Sequence, residues 1–255
     1  MKIAKRLLAA LVIMAVASNA QAGVIDTDFT EATIAATGMS LDQPNTANGE
    51  ITLDTVNDRL VLTSHNATNM WTSRADAPIA YVTSPNTSSW YVETDIVLTT
   101  PGNDYFQGGL TVYADSDGAV PDFAYYLNNW PDSGSRRVQL QKLGGGAPNV
   151  SSPGFATANV ILRIEYQQDG GAGGLDQYTF KYDLLDGNGL QTLTTYDADI
   201  PNGRVGAFTK SRGNVGQGDD LGDAVGLNSF TVVPEPSALL SLLIGLIACG
   251  LRRRR

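Results

Sequence analysis

Between Gly23 and Val233 the chain falls into short apolar runs, many of which alternate with polar residues at every second position, the spacing of half-buried strands. The runs are short and rich in β-branched and aromatic residues: 59–63 (RLVLT), 90–99 (WYVETDIVLT), 109–113 (GLTVY), 123–127 (FAYYL), 137–141 (RVQLQ), 160–166 (VILRIEY), 177–184 (QYTFKYDL), 205–209 (VGAFT) and 229–233 (SFTVV). Clusters of Gly, Asn, Asp and Pro separate them, among them Gly144-Gly145-Gly146 and Asp186-Gly187-Asn188-Gly189. These residue types supply the positive φ angles and local side-chain bonds of tight turns. Nine or more such strands predict an all-β antiparallel sandwich. Helical periodicity is almost absent, and neither a repeat nor a long linker divides the stretch, so one domain is expected over 23–233.

The two flanks follow different rules. Lys2, Lys5 and Arg6, an apolar run over 7–17 and Ala20-Gln21-Ala22 make up a signal peptide over 1–22, with signal peptidase cleaving after Ala22. At the other end, 234–255 reads PEPSALLSLLIGLIACGLRRRR. Pro-Glu-Pro interrupts whatever precedes it, because proline lacks an N–H and biases its predecessor towards extended backbone. An all-apolar helix of about 14 residues then covers roughly 21 Å, short of the roughly 30 Å hydrocarbon core. Four terminal arginines that snorkel to the headgroups offset the mismatch, so a C-terminal transmembrane helix in the inner membrane is expected. Basic residues at both extremes hold both ends on the cytoplasmic side and place the body outside.

Pro234, Glu235 and Pro236, the apolar segment, and Arg252, Arg253, Arg254 and Arg255 together resemble the PEP-CTERM sorting signal of exported proteins in exopolysaccharide-producing Gram-negative bacteria. The resemblance implies an exosortase that recognises the tail, cleaves near Pro-Glu-Pro, and passes the body to the cell surface or the extracellular matrix. The body resembles, more loosely, the concanavalin A-like (laminin G-like) jelly roll. The carriers are an opening strand at Asp28-Phe29, a VETDI strand followed by Gln107-Gly108-Gly109-Leu110, VILRIEY joined through a Gly-rich hairpin to YTFKYDL, and a closing VGLNSFTVV. In that fold the first and last strands pair, which implies that Gly23 and Val233 lie at the same end.

Once both flanks are set aside, 10 basic and 25 acidic residues remain. A body so acidic is a poor partner for nucleic acid or anionic lipid. The single cysteine, Cys249, lies in the tail, so the body has neither disulfide nor thiol chemistry and rests on its core. His65 is the only histidine, which excludes multi-histidine metal sites.

Alternation puts Glu93 and Asp95 on one strand face with Val97. Laminarinase-type hydrolases of the jelly-roll fold carry two catalytic glutamates on such a strand. Retaining hydrolysis needs two carboxyl groups about 5 Å apart, and here the second position is Val97 or Leu98. No catalytic residue and no required cofactor is expected. Asp115 and Asp117, followed by Gly118, resemble the start of an oxygen-ligand loop and are the candidate calcium ligands, although turn chemistry explains them equally well. Asp219, Asp220 and Asp223 form a second acidic turn. Tyr126, Asn128, Asn129 and Trp130 are the candidate glycan-binding residues, since a sugar site needs a flat aromatic and amide groups. Alternation buries one of Tyr125 and Tyr126, and Trp90 reads as core. The chain is thus expected to be an exported, non-catalytic component associated with extracellular polysaccharide; the alternatives are a specific lectin-like module and a polysaccharide-acting enzyme.

Overall fold

A computed structural model describes residues 23–25, 29–43, 49–64, 78–99, 106–113, 122–130, 135–143, 148–200, 203–211 and 223–235. Among these, the strands in chain order are β1 (Gly23–Ile25), β2 (Ser40–Asp42), β3 (Gly49–Asp54), β4 (Arg59–Ser64), β5 (Ile79–Thr83), β6 (Ser89–Leu98), β7 (Phe106–Tyr113), β8 (Phe123–Trp130), β9 (Ser135–Lys142), β10 (Asn149–Ser151), β11 (Asn159–Gln167), β12 (Gln177–Asp183), β13 (Gln191–Asp197), β14 (Arg204–Ser211) and β15 (Asp223–Pro234). They make two antiparallel sheets. One has eight strands in the order β13-β12-β11-β6-β15-β4-β3, with β1 also on β15, and the other seven in the order β10-β9-β8-β7-β14-β5-β2.

The period-two pattern builds the interior between the sheets. Trp90, Val92, Thr94, Ile96 and Leu98 point inward from β6, and Val160, Leu162, Ile164 and Tyr166 do the same from β11. Leu110, Val112, Phe123, Tyr125, Leu127, Val138, Leu140 and Val205 meet them from the seven-stranded sheet. An aromatic seam joins the two layers, the Phe123 ring lying 5.3 Å from those of Tyr178 and Phe180, while within the eight-stranded sheet the cross-strand neighbours Trp90 and Tyr166 stack at 5.1 Å. Each such pair adds about 0.5–1.5 kcal/mol beyond its burial. The sheets approach so closely at Gly108 that a side chain there would run into Val225. The expected all-β sandwich is the fold found.

Several details differ from expectation. The first strand is β1, not Asp28-Phe29; Phe29 is core but leads into a helix, α1 (Glu31–Thr37). Thr30 caps α1, accepting from the Thr33 N–H while Thr33 returns the bond, and Gly38 closes the helix at φ 68°. With threonine in place of the usual Glu or Gln at the third helical position, this capping box carries a weak sequence signature. Asp28 lies outside the described residues, as do the expected signal peptide (1–22), Pro236 and the arginines of the tail. Among the described residues no helix is long and apolar enough to cross a membrane.

Strand β15 runs into the Pro-Glu-Pro stretch. Pro234 pairs with Trp90, and the Glu235 N–H donates to the Ser89 carbonyl at 3.0 Å, so the sheet continues into the first two residues of Pro-Glu-Pro. On its other side β15 pairs with β1, Gly23 opposite Val232, which puts Gly23 and the chain's exit at one end of the sandwich, as the jelly-roll resemblance implies.

Candidate functional site

The outward face of the eight-stranded sheet carries the Glu93 strand. Register places Glu93 beside Arg163 and Arg163 beside Lys181. Arg163 Nε donates to Glu93 Oε2 at 2.6 Å, its Nη1 lies 3.6 Å from Glu165, and Lys181 Nζ lies 2.7 Å from the other Glu165 oxygen. The Arg163 guanidinium also covers the Tyr91 ring at 4.4 Å. Glu93 is therefore neutralised by a chain of partners. Asp95 stands beside it without a cation: desolvation raises its carboxyl above the ordinary range, against a lowering hydrogen bond from Asn228, and the Glu93 charge adds to the rise.

The outward face of the seven-stranded sheet is built differently. Its centre is a second apolar cluster of Ile79, Tyr113, Ala124, Tyr126, Leu143 and Phe208. Both Tyr125 and Tyr126 are consequently buried, Tyr125 between the sheets and Tyr126 on this outer face. Period-two alternation holds, but both faces of β8 are apolar. Tyr126 is only 1% exposed. Its ring offers no surface for a sugar to stack on, which corrects the expectation for that residue. Its hydroxyl donates to Gln141 Oε1 at 3.2 Å, and burial pushes its pKa up, so it stays protonated.

Beside this cluster runs a row of amides. Asn128 Nδ2 donates to Gln139 Oε1 at 3.1 Å, and Gln139 Nε2 donates to Asn149 Oδ1 at 2.7 Å, one chain across β8, β9 and β10. Asn128 is 3% exposed. Its Oδ1 and the Oε1 of Gln107, its register partner on β7, are both buried and have no hydrogen-bond partner among the described residues. Two adjacent orphan carbonyls cost about 1–3 kcal/mol each unless something donates to them. Towards β10 the face opens, with Gln139 and Gln141 half-buried and Asn149 exposed.

Of the four sequence-expected glycan residues, the two asparagines point to opposite faces. Asn128 shares the outward face with Tyr126, whereas Asn129, pairing with Arg136, alternates to the other side. Trp130 pairs with Ser135 in the backbone register, and its side chain lies outside the described residues. Asp115, Asp117, His65 and Trp71 also lie outside them. Among the described residues no group of three His, Cys, Asp or Glu could hold a metal ion, and two neutral carbonyls alone fall short of the six to eight oxygens about a calcium ion. Gln107, Gln139, Gln141 and Asn149 are not sugar-site candidates by sequence alone, the last three standing beside no aromatic cluster in sequence; their signal is the polar alternation of RVQLQ against a β8 that ends in two amides.

The site and the termini occupy opposite ends. Asn129 pairs with Arg136, Arg136 bridges to Phe155, and nearby Ala158 accepts from the Leu98 N–H, so the amides sit at the Leu98 end of β6. Gly23 and Pro234 sit at its Ser89 end. The ten residues of β6 separate them by about 30 Å.

No protein-family model matches the sequence, and no curated protein matches it. Solved structures match its fold. A legume lectin-like domain from Entamoeba histolytica is 11% identical over 84% of this chain and 97% of its own, with a TM-score of 0.53. The Ca2+-bound exoplasmic/lumenal domain of VIP36 is 11% identical over 86% of this chain and 93% of its own, with a TM-score of 0.52. A GH43 glycoside hydrolase, engineered in its active site to display both endo-xylanase and exo-arabinofuranosidase activity, is 15% identical over 72% of this chain, with a TM-score of 0.53. This chain spans only 36% of that hydrolase's length. What the chain shares with all three is a two-sheet, antiparallel jelly-roll sandwich.

Proposed function

We propose that this chain is an exported, non-catalytic jelly-roll domain that binds extracellular polysaccharide through the outward face of its seven-stranded sheet. The carrying observation is a row of accessible amides, half-open Gln139 and Gln141 and exposed Asn149, held from behind by buried Asn128, which donates to Gln139. Each amide has two donors and two acceptor lone pairs, more than the row itself uses, and sugar hydroxyls answer both at close spacing. Lectin-like domains among the structural neighbours support the same ligand class. A calcium ion in this reading would draw its carboxylates from Asp115 and Asp117.

Absence of catalysis is supported by Glu93, whose carboxylate is held by Arg163 and has no second carboxyl where hydrolysis would need it, positions 97 and 98 being Val and Leu. Export is supported by the two flanking motifs. In this proposal, signal peptidase exposes Gly23, and the tail, with Pro234, Glu235, Pro236 and the four arginines, holds the chain in the inner membrane until an exosortase transfers it to the surface. Both membrane segments then leave from one end of the body and the amide face lies at the other, pointing away from the membrane.

Affinity electrophoresis of the full chain in detergent through gels containing dextran, mannan or galactan tests the binding. Retardation by at least one is expected; unretarded migration in all three overturns it. For sorting, the intact mass of the exported form should begin at Gly23 and lack the arginines, and a mass that still includes Arg255 contradicts it.

A further inference from the structure

A cavity of about 660 Å³ opens at the end of the sandwich where the chain exits, some 30 Å from the amide face. It lies in the size range of small-molecule sites. Its apolar part comes from Val82, Val232 and Pro234, and its polar part from Thr37, Ser84 and Thr87, with Asn86 at the rim. No charged side chain lines it among the described residues.

Three of the hydroxyls there are already committed as donors, which leaves the Thr83 hydroxyl and the Asn86 amide as the donors the side chains can offer. Thr37 Oγ1 donates to the Thr33 and Ile34 carbonyls at 3.0 Å, Ser84 Oγ to Gly203 O at 3.2 Å, and Thr87 Oγ1 to Ser89 O at 2.8 Å. A hydroxyl has one proton and two lone pairs. With the proton spent on the backbone, all three oxygens face a ligand as acceptors only. An anion would meet lone pairs with no cation to balance it, inside a body rich in carboxylates. A neutral ligand carrying several O–H donors and an apolar face fits instead.

We propose that this cavity is a second sugar subsite, selective for a neutral hexose over a uronic acid. The uncharged lining, with no cation to meet a carboxylate, disfavours acidic ligands without reference to the amide face; the choice of a sugar rests on the polysaccharide reading above. A chain with sites at both ends of one rigid sandwich bridges two glycan strands.

The test is an amide-resolved NMR titration of the full chain in detergent micelles with methyl glucoside, methyl mannoside, methyl galactoside and glucuronate. At least one neutral glycoside should shift the Thr83, Asn86 and Thr87 signals saturably, and glucuronate should bind there at least tenfold more weakly. Asn86→Trp, which fills the rim, should remove these shifts and leave those of Gln139 in place. Silence at Thr83, Asn86 and Thr87 with all three neutral glycosides, or equal binding of glucuronate, overturns the subsite. If Gln139 responds while the cavity is silent, only this inference falls; if both are silent, the polysaccharide reading falls with it. The titration of the unaltered chain decides the matter whether or not Asn86→Trp folds.

Discussion

On the outward face of the eight-stranded sheet, Glu93, Arg163, Glu165 and Lys181 satisfy one another in a line, and Arg163 caps the Tyr91 ring. The outward face of the seven-stranded sheet has a buried aromatic cluster and, at its margin, amides that leave two carbonyls without a donor. Both faces are equally regular strands of one sandwich. Their difference shows where a ligand gains by binding: the ion line must lose its bonds to a ligand, whereas half-open amides keep donors and acceptors to offer; an orphan oxygen alone does not mark a site, since Asp95 Oδ1 on the eight-stranded face is also buried without a partner among the described residues.

The largest expected effect tests whether the outer aromatic cluster is core. Tyr126→Ala should lower unfolding stability by about 3–5 kcal/mol, the range for emptying a buried aromatic site. Tyr91→Ala, on the other face, should cost about 1 kcal/mol or less, since it loses only a half-exposed contact with Arg163. Urea denaturation of the two variants checks this. Near-wild-type stability for Tyr126→Ala would mean that its ring is an open platform after all.

Next comes a difference in binding. Asn128→Leu preserves the volume and deletes the amide that orients Gln139, so it should weaken polysaccharide retention at least tenfold, about 1.4 kcal/mol. Stability should change by no more than about 1 kcal/mol, because the lost bond to Gln139 is offset by removal of an unpaired acceptor.

Arg163→Met should do the reverse. It breaks a half-exposed ion-pair line at a cost of about 1 kcal/mol or less, falling as salt rises, while retention stays unchanged. Thermal unfolding at low and high ionic strength measures it.

The smallest effect is at Asp95, whose carboxyl is shifted by no cation among the described residues. Its folded-state pKa is raised, chiefly by desolvation, so its protonated form favours the fold; this contribution is complete below the unfolded pKa and is lost as pH rises through the folded one. Asp95→Asn should therefore stabilise the protein at about pH 7, and the gain should vanish below about pH 4, the ordinary aspartate range. A chemical denaturation series across that interval shows it, and a gain that persists at low pH contradicts the assignment.

The sandwich was legible because burial between two sheets enforces period two, and the long inner strands β6, β11 and β12 show it without interruption. Edge strands hid: β13 reads QTLTTYD, with few apolar residues, because only one side of it meets a neighbour. Short strands such as β1 and β2 take their conformation from the strands they join rather than from their own three residues. The site was half legible. Asn128 was found by its neighbours in sequence, but its true partners, Gln107, Gln139 and Asn149, come from three other strands, and cross-strand register is invisible in a linear chain. Tyr126 misled for a related reason, since a doubly apolar strand cannot be told from an amphipathic one carrying an exposed aromatic.

The most direct measurement compares polysaccharide retention of the unaltered chain, Asn128→Leu and Arg163→Met in the same gels. Retention lost in Asn128→Leu and kept in Arg163→Met is the expected result. Retention kept in Asn128→Leu, or lost in Arg163→Met with the fold intact, would contradict the assignment of binding to the seven-stranded sheet's outward face.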